Sequence, residues 1–465
     1  MMLFCAMPAS AADMAVEWWQ NAAAPYKGNV IHVVSEESPP SVYMRDKLAP
    51  AFEALTGINV AFETVSWADA FERGIQDMAT GSGLLDAVYV EQDIVYAYLA
   101  QKYLANISQL FRDHPELASP DFHFEDFTSF LNYYKDPTSG DVFGMPFEAF
   151  TKFYVYRKDL FADADIQKAF QAEYGEPLAP AETIDQYRKI AAFFTKWGKD
   201  HSLELWGATV QGKLEHGSVW SEFTETILPI FGIYQWGLNM ETKGASVANG
   251  GSLNSDTAKA ALQFWLDMLQ YAPPEALMST WDEVAFSLAA GRTAQGFIYG
   301  DQIPKVMDPA TSKVIGKLSY ALPPMMPGVL DDANAGKGYI GYYDGGALSI
   351  PHCSKNKEAA LLFLQYIGQP SVQADWAVET GRVVHQATFD DPQILSKDQE
   401  VGGYFALMRD NGHLFAGAPP FPAHAELRET AVPFIWQALA GQLSAEQALD
   451  QAAEAVDQFF AKEGE

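Results

Sequence analysis

The chain has 465 residues, with 30 Lys plus Arg against 60 Asp plus Glu, for a formal charge of −30. That length accommodates two domains with sizeable cores, and the acidic balance excludes nucleic acid as a partner, since phosphate recognition needs a basic footprint. No apolar run reaches the roughly 18 residues of a membrane-spanning helix, so the expectation is a soluble, monomeric protein.

The start, MMLFCAMPASAADM, reads as the tail of a secretory signal peptide. A short apolar stretch meets Pro8 and then Ala9-Ser10-Ala11, the small-x-small pattern of a cleavage site, although the usual basic start is missing. The expected leader covers 1–12 and the expected location is the periplasm. Cleavage near Ala11 removes Cys5 and leaves only Cys353, so no internal disulfide is expected.

Strands and helices alternate through the first third, at 29–34 (strand), 42–55 (helix), 58–65 (strand), 67–80 (helix) and 86–90 (strand). Leu48, Phe52 and Leu55 recur at helical spacing, Gly57 supplies a left-handed stop, and Ile58 and Val60 alternate as in a strand. This pattern predicts an open α/β sheet, whose ligands sit beyond the carboxyl ends of the strands. After a turn at Asp136–Asp141 the sequence predicts a strand near Phe147 and another at 152–156. Helices follow at 183–199, 221–231, 257–271 and 281–290. A strand at 294–299, a Gly/Asp-rich loop at 328–346, a strand at 347–351 and a helix at 357–367 precede a helical last hundred residues, ending at 444–460.

Some signals carry nothing. Gly336-Lys337-Gly338-Tyr339-Ile340-Gly341 satisfies G-x-G-x-x-G but follows no strand and opens no helix, as a dinucleotide site requires. Asp136–Asp141 lacks the closing Glu of a calcium loop, and a hairpin turn is the better reading. The nine His show no zinc-ligand spacing, and no G-x-S-x-G elbow occurs. Nothing in the sequence calls for a metal or cofactor.

Several blocks occur in an order that resembles the bacterial ABC-transporter extracellular solute-binding proteins of family 1, the maltose-binding-protein-like receptors. They are the helix-Gly57-strand step, Ala79-Thr80-Gly81-Ser82-Gly83 with Asp86-Ala87-Val88, Gly144-Met145-Pro146-Phe147, and Tyr156-Arg157-Lys158-Asp159-Leu160-Phe161. Thr183-Ile184-Asp185-Gln186, Ala289 to Ala294, Gly345-Gly346-Ala347 with Ser354 to Ala360, and Thr380-Gly381-Arg382 complete the set. Arg157 stands where the family has Asn, Gln295 where it has Met, and Val383-Val384-His385 departs from its Pro-containing continuation. The resemblance implies a two-lobe α/β periplasmic-binding-protein fold of type II, with a ligand cleft between lobes joined by hinge segments near 148–151, 345–349 and 367–372. It implies an N-terminal lobe of 13–148 plus 346–369, and a C-terminal lobe of 149–345 plus 370–465.

Matching blocks and strand ends together nominate ligand-binding residues. Glu36, Glu37 and Ser38 follow the first strand, Trp67 the second, and Gln92 and Asp93 the third. Phe147 and Glu148 lie at the first hinge. Trp220 belongs to the helical lobe, Tyr299 and Asp301 follow a later strand, and Asp344, Gly345 and Gly346 offer a carboxylate and close backbone amides. Arg382 follows the Thr-Gly step. Sugar rings stack their C–H faces on indoles and phenols, and carboxylates accept pairs of hydroxyl hydrogens. The expected function is therefore capture of a sugar, oligosaccharide or polyol by cleft closure and delivery to the permease subunits of an ABC importer, without catalysis. The alternatives are a carbohydrate-active enzyme using cleft carboxylates such as Glu37 and Glu148, a receptor for an amine or other non-sugar solute, and the binding subunit of a sensor or a glycan adhesin.

Overall fold

A computed structural model describes residues 11–463 of the chain. The expected leader falls outside the described residues, except for Ala11 and Ala12, which open the helix Ala11–Ala23. The strands in chain order are β1 (Val30–Glu36), β2 (Asn59–Val65), β3 (Ala87–Glu91), β4 (Met145–Arg157), β5 (Gln295–Tyr299), β6 (Leu318–Ala321) and β7 (Tyr343–Ser349). The chain divides into two compact units, 1–149 with 345–388, and 150–344 with 389–465.

In the first unit β1 pairs in parallel with β2, Val30 opposite Asn59, and with β3, Val33 opposite Ala87. β3 pairs antiparallel with β7, Val88 opposite Ser349. Helical segments connect the parallel strands, as parallel pairing demands. The helix expected from residue 42 starts earlier, at Pro39–Tyr43, and runs through a wide π-turn, Met44–Leu48, into Ala49–Thr56. Pro39 and Pro40 suit a first turn, where no N–H is needed. Pro50 cannot donate to the Asp46 carbonyl, which accounts for the local widening of the ladder. Gly57 then closes the helix at φ 75° with its N–H on the Glu53 carbonyl. The helix Trp67–Thr80 forms where expected, because the Ser66 hydroxyl caps the Asp69 amide at 3.2 Å and Gly81 takes the left-handed stop.

The first unit's core is aromatic. Phe52 meets Phe363 edge-on at 5.2 Å, and Trp376 meets Tyr43 at 6.1 Å and Phe147 at 5.9 Å. Those contacts of Trp376, on the helix Pro370–Thr380, explain why 370–388 falls in the first unit and not in the second lobe where the sequence reading puts it.

In the second unit β4 pairs antiparallel with β5, Lys152 opposite Tyr299, and with β6, Tyr154 opposite Ala321. Two strands are expected near Phe147 and at 152–156, but β4 is one strand of 13 residues. It is buried along nearly its whole length, so its sequence shows no alternation to mark continuity. Capping boxes Thr183/Gln186 and Thr280/Glu283 start the helices Ile184–Asp200 and Trp281–Ala289. The helix expected at 221–231 has three parts: Ser218–Ser221, a π-turn Glu222–Ile227, and Leu228–Ile230. Pro229 offers no N–H to the Glu225 carbonyl, the same cause as in the first unit. Residues 336–341 lie in turn and coil, and a Lys135–Val142 bridge closes the hairpin around Asp136–Asp141.

His385 is fully buried in the first unit, its ring 4.4 Å from that of Phe127. Burial drives its pKa down to about 4, against the opposing pull of Asp126. The unfolded chain therefore binds a proton that the folded chain refuses, and stability falls as pH drops from about 6.5 toward 4, by up to about 3 kcal/mol. His385→Phe should flatten this loss. Urea midpoints at pH 7 and pH 4.5 check it, and equal acid losses in both proteins would sink the assignment.

Candidate functional site

In the first unit the nominated residues cluster at strand ends. Glu36 closes β1 and is half-buried, while Glu37 is exposed and its amide is held by the Val65 carbonyl at 2.7 Å. Ser38 is buried within a chain of hydroxyls. Ser38 Oγ donates to Ser41 Oγ at 3.1 Å, and Ser41 Oγ lies 2.8 Å from Ser35 Oγ. This chain fixes the turn that presents Glu36 and Glu37. Trp67 starts its helix half-buried, parallel to Phe71 at 5.8 Å, and Phe71 continues the stack onto Tyr98 at 6.2 Å. The indole of Trp67 is thus held flat, as a stacking platform requires. Gln92 is buried and Asp93 half-buried in the turn after β3.

Phe147 is fully enclosed, edge-on to Tyr89 at 5.8 Å and to Trp376 at 5.9 Å. It works as core in the first unit and shapes its neighbour, Glu148. Glu148 and Arg382 are both buried and form an ion pair through Oε2 and Nη1. Arg382 is aimed there by Gly381, the left-handed stop of the preceding helix. The cation nominated as a clamp is thus engaged by a carboxylate of its own unit. Gly345 and Gly346 are required by the protein itself. A Cβ on Gly345 (φ 140°) would lie 2.0 Å from the Glu148 carbonyl oxygen, and one on Gly346 would lie 2.1 Å from the Tyr89 ring. Tyr134 Oη, donating to the Val90 carbonyl at 3.0 Å, supports the same corner.

The second unit holds Trp220, Tyr299, Asp301 and Asp344, and it adds three residues that sequence reasoning missed. Lys152 of β4 is buried and pairs with Glu222 of the π-turn. Its ammonium also lies 4.3 Å from the centre of the Tyr299 ring, a cation–π contact. Tyr299 Oη in turn donates to Glu225 Oε2 at 2.6 Å. Burial, then the carboxylates of Glu225 and Asp344, hold the Tyr299 phenol well above its usual pKa, so it remains a neutral donor. Glu222 and Glu225 are three residues apart, and the wide turn sends one to Lys152 and the other to Tyr299. The available signal was a pair of carboxylates in the otherwise uncharged run Val219 to Ile230, and a lysine inside an apolar strand.

Trp220 is buried against Trp236 at 5.9 Å, and its Nε1 meets no acceptor among the described residues. A buried indole N–H ordinarily has a partner, but Trp265 Nε1 and Trp376 Nε1 share this state. Asp301 accepts from Gln302 Nε2 at 2.7 Å, in the turn directly after β5. Asp344 is half-buried on β7. The buried cation beside Tyr299, Lys152, is therefore already paired and stands among several carboxylates, and the unit's other buried cation, Arg157, pairs with Asp159. Such a set accepts hydroxyl or ammonium hydrogens and repels anions. Among the described residues no group of three or more His, Cys, Asp and Glu is placed to hold a metal ion, and no helix is long and apolar enough to cross a membrane.

Breaking a buried ion pair strands the surviving charge, at a cost of about 3–5 kcal/mol. Glu148→Gln and Arg382→Met should each lose stability on that scale, while the double variant loses clearly less than their sum. Chemical denaturation of the four proteins gives the coupling, and simple additivity would remove the pair from the account of this corner.

A profile of bacterial extracellular solute-binding proteins matches residues 47–401. Among solved structures, the chain is similar to an ABC-transporter solute-binding protein of Agrobacterium radiobacter in complex with ribitol, at 19% identity over 94% of this chain and 100% of that one, with a TM-score of 0.75. A solute-binding protein of Agrobacterium vitis with bound D-mannitol matches at 19% identity over 94% and 99%, TM-score 0.73. Maltose-bound MalE3 of T. maritima matches at 17% identity over 93% and 100%, TM-score 0.73. At these identities the likeness concerns the fold, and the α/β solute-binding-protein fold expected from the sequence is borne out.

Proposed function

Because the chain belongs to the bacterial extracellular solute-binding proteins, we propose that it captures a sugar or polyol outside the cytoplasm and hands it to the permease subunits of an ABC importer. It is a binding protein and not an enzyme, in keeping with its family. The observation that carries the ligand class is the second unit's polar set, in which Lys152 and Tyr299 hold Glu222 and Glu225 in place. Carboxylates fixed in this way are preorganised acceptors for hydroxyl pairs, and the cost of ordering them does not fall on binding. Trp220 supplies a buried donor for a ligand oxygen, and Trp67 supplies an aromatic face.

Structural relatives with bound ribitol, D-mannitol and maltose support the polyhydroxyl reading. Capture proceeds by a ligand-stabilised change of conformation, with contacts made in only one state shifting the population toward it. Export through a leader ending near Ala11, a monomeric state and the absence of nucleic-acid partners belong to the same reading.

A thermal-shift screen of the mature protein with ribitol, mannitol, maltose, amines and sugar acids tests it. A ligand at 100 times its dissociation constant adds about 2.7 kcal/mol, so a hit raises the melting temperature visibly. One sugar or polyol group should respond with no product formed, and Glu225→Gln should weaken that response by about tenfold or more in affinity. A shift for amines alone, or for sugar acids alone, would overturn the ligand class.

A further inference from the structure

The helix Ala11–Ala23 precedes the span of the family match, 47–401. Trp19 fastens it to the first unit, edge-on to Tyr366 at 5.8 Å and to Phe52 at 6.3 Å. Its neighbour Trp18 meets Trp19 edge-on at 4.9 Å and is only half-buried. Trp18, Asn21, Pro25 and Tyr26 from this end of the chain, with Glu116 and Leu117 from the turn Pro115–Leu117, line a cavity of about 280 Å³. That is below the usual range for drug-sized ligands, so the occupant has few heavy atoms.

The walls are of two kinds, an indole, a phenol and a proline ring on one hand and a carboxylate on the other. A second carboxylate stands close, because His114 lies between Glu116 and Glu358, 3.3 Å from one and 3.5 Å from the other. None of the lining residues is basic. Burial, then the charges of Glu358 and Glu116, raise the Tyr26 pKa, so the phenol stays neutral and its ring lies in the field of both acids. Aromatic faces and carboxylates have one preference in common, for positive charge. A sugar would need several hydroxyl partners, and besides the Tyr26 hydroxyl and the Trp18 N–H only Asn21 and Glu116 bring polar side-chain atoms to this lining.

We propose that this groove binds a small alkylammonium cation, with its methyl groups against Trp18 and Tyr26 and its charge toward Glu116. The site is separate from the residues assigned to sugar capture and does not depend on that reading. The test uses the full mature chain with ¹⁵N-labelled indoles, the Trp18 signal being identified by its loss in Trp18→Phe. Choline is titrated against 3,3-dimethyl-1-butanol, its neutral carbon isostere. The Trp18 signal should move with choline at millimolar affinity and respond at least about tenfold more weakly to the alcohol. Glu116→Gln, at an exposed position, should weaken choline by about fivefold and leave the melting temperature unchanged. Equal responses to choline and the alcohol, a silent Trp18 at about 100 mM choline, or an indifferent Glu116→Gln would each overturn the proposal.

Discussion

The ion pair between Glu148 and Arg382 organises the first unit. Neither charge tolerates burial alone, so each fixes where the other's segment runs. Glu148 belongs to β4 and Arg382 follows the helix Pro370–Thr380, more than two hundred residues later in the chain. Once the pair is buried, Phe147 is committed to the opposite face of its strand, where Tyr89 and Trp376 enclose it. The Glu148 carbonyl then lies so close to residue 345 that only glycine fits, and the next glycine makes room for Tyr89. One electrostatic requirement therefore accounts for a strand, a helix end and two glycines.

The second unit solves the same problem with a longer chain of groups. Lys152 satisfies Glu222, its charge also faces the Tyr299 ring, and the Tyr299 hydroxyl satisfies Glu225. The π-turn is the device that makes this possible. In a regular helix residues 222 and 225 lie one above the other on the same face, and their carboxylates would compete for one partner. The wider turn, placed by Pro229, separates them. A helix irregularity of this kind is often functional, and here it carries the residues proposed to meet a polyhydroxyl ligand.

How much of this the sequence disclosed depends on the range of the interaction. The helices Trp67–Thr80 and Ile184–Asp200 were legible because Ser66, Gly81, Thr183 and Gln186 are local signals, each acting within one turn. The start of β2 was legible too, through Gly57 and the alternation beyond it, whereas β1 runs on to Glu36 and β7 begins at Tyr343, beyond the bounds expected for them. The continuity of β4 was hidden because a strand buried on both faces has no period to read. The π-turns were hidden because proline announces an interruption without saying whether a helix stops or widens. The partner of Arg382 was hidden for a different reason. Nothing near residue 382 names residue 148, and a charge that looked ready for ligand is engaged within the protein.

That last point changes the chemistry expected of the ligand. With Arg382 and Lys152 both paired to carboxylates of their own units, neither unit presents an uncompensated buried cation among the residues described for these sites. An anionic solute would have to displace Glu148 or Glu222 from its partner and leave a buried carboxylate stranded, a cost of the same order as breaking the pair. A hydroxyl group makes no such demand. It donates to a carboxylate that keeps its existing partner, because a carboxylate oxygen has a second lone pair to offer. On the proposed reading, the internal pairing of charges favours neutral, hydroxyl-rich solutes by making the anionic alternative expensive.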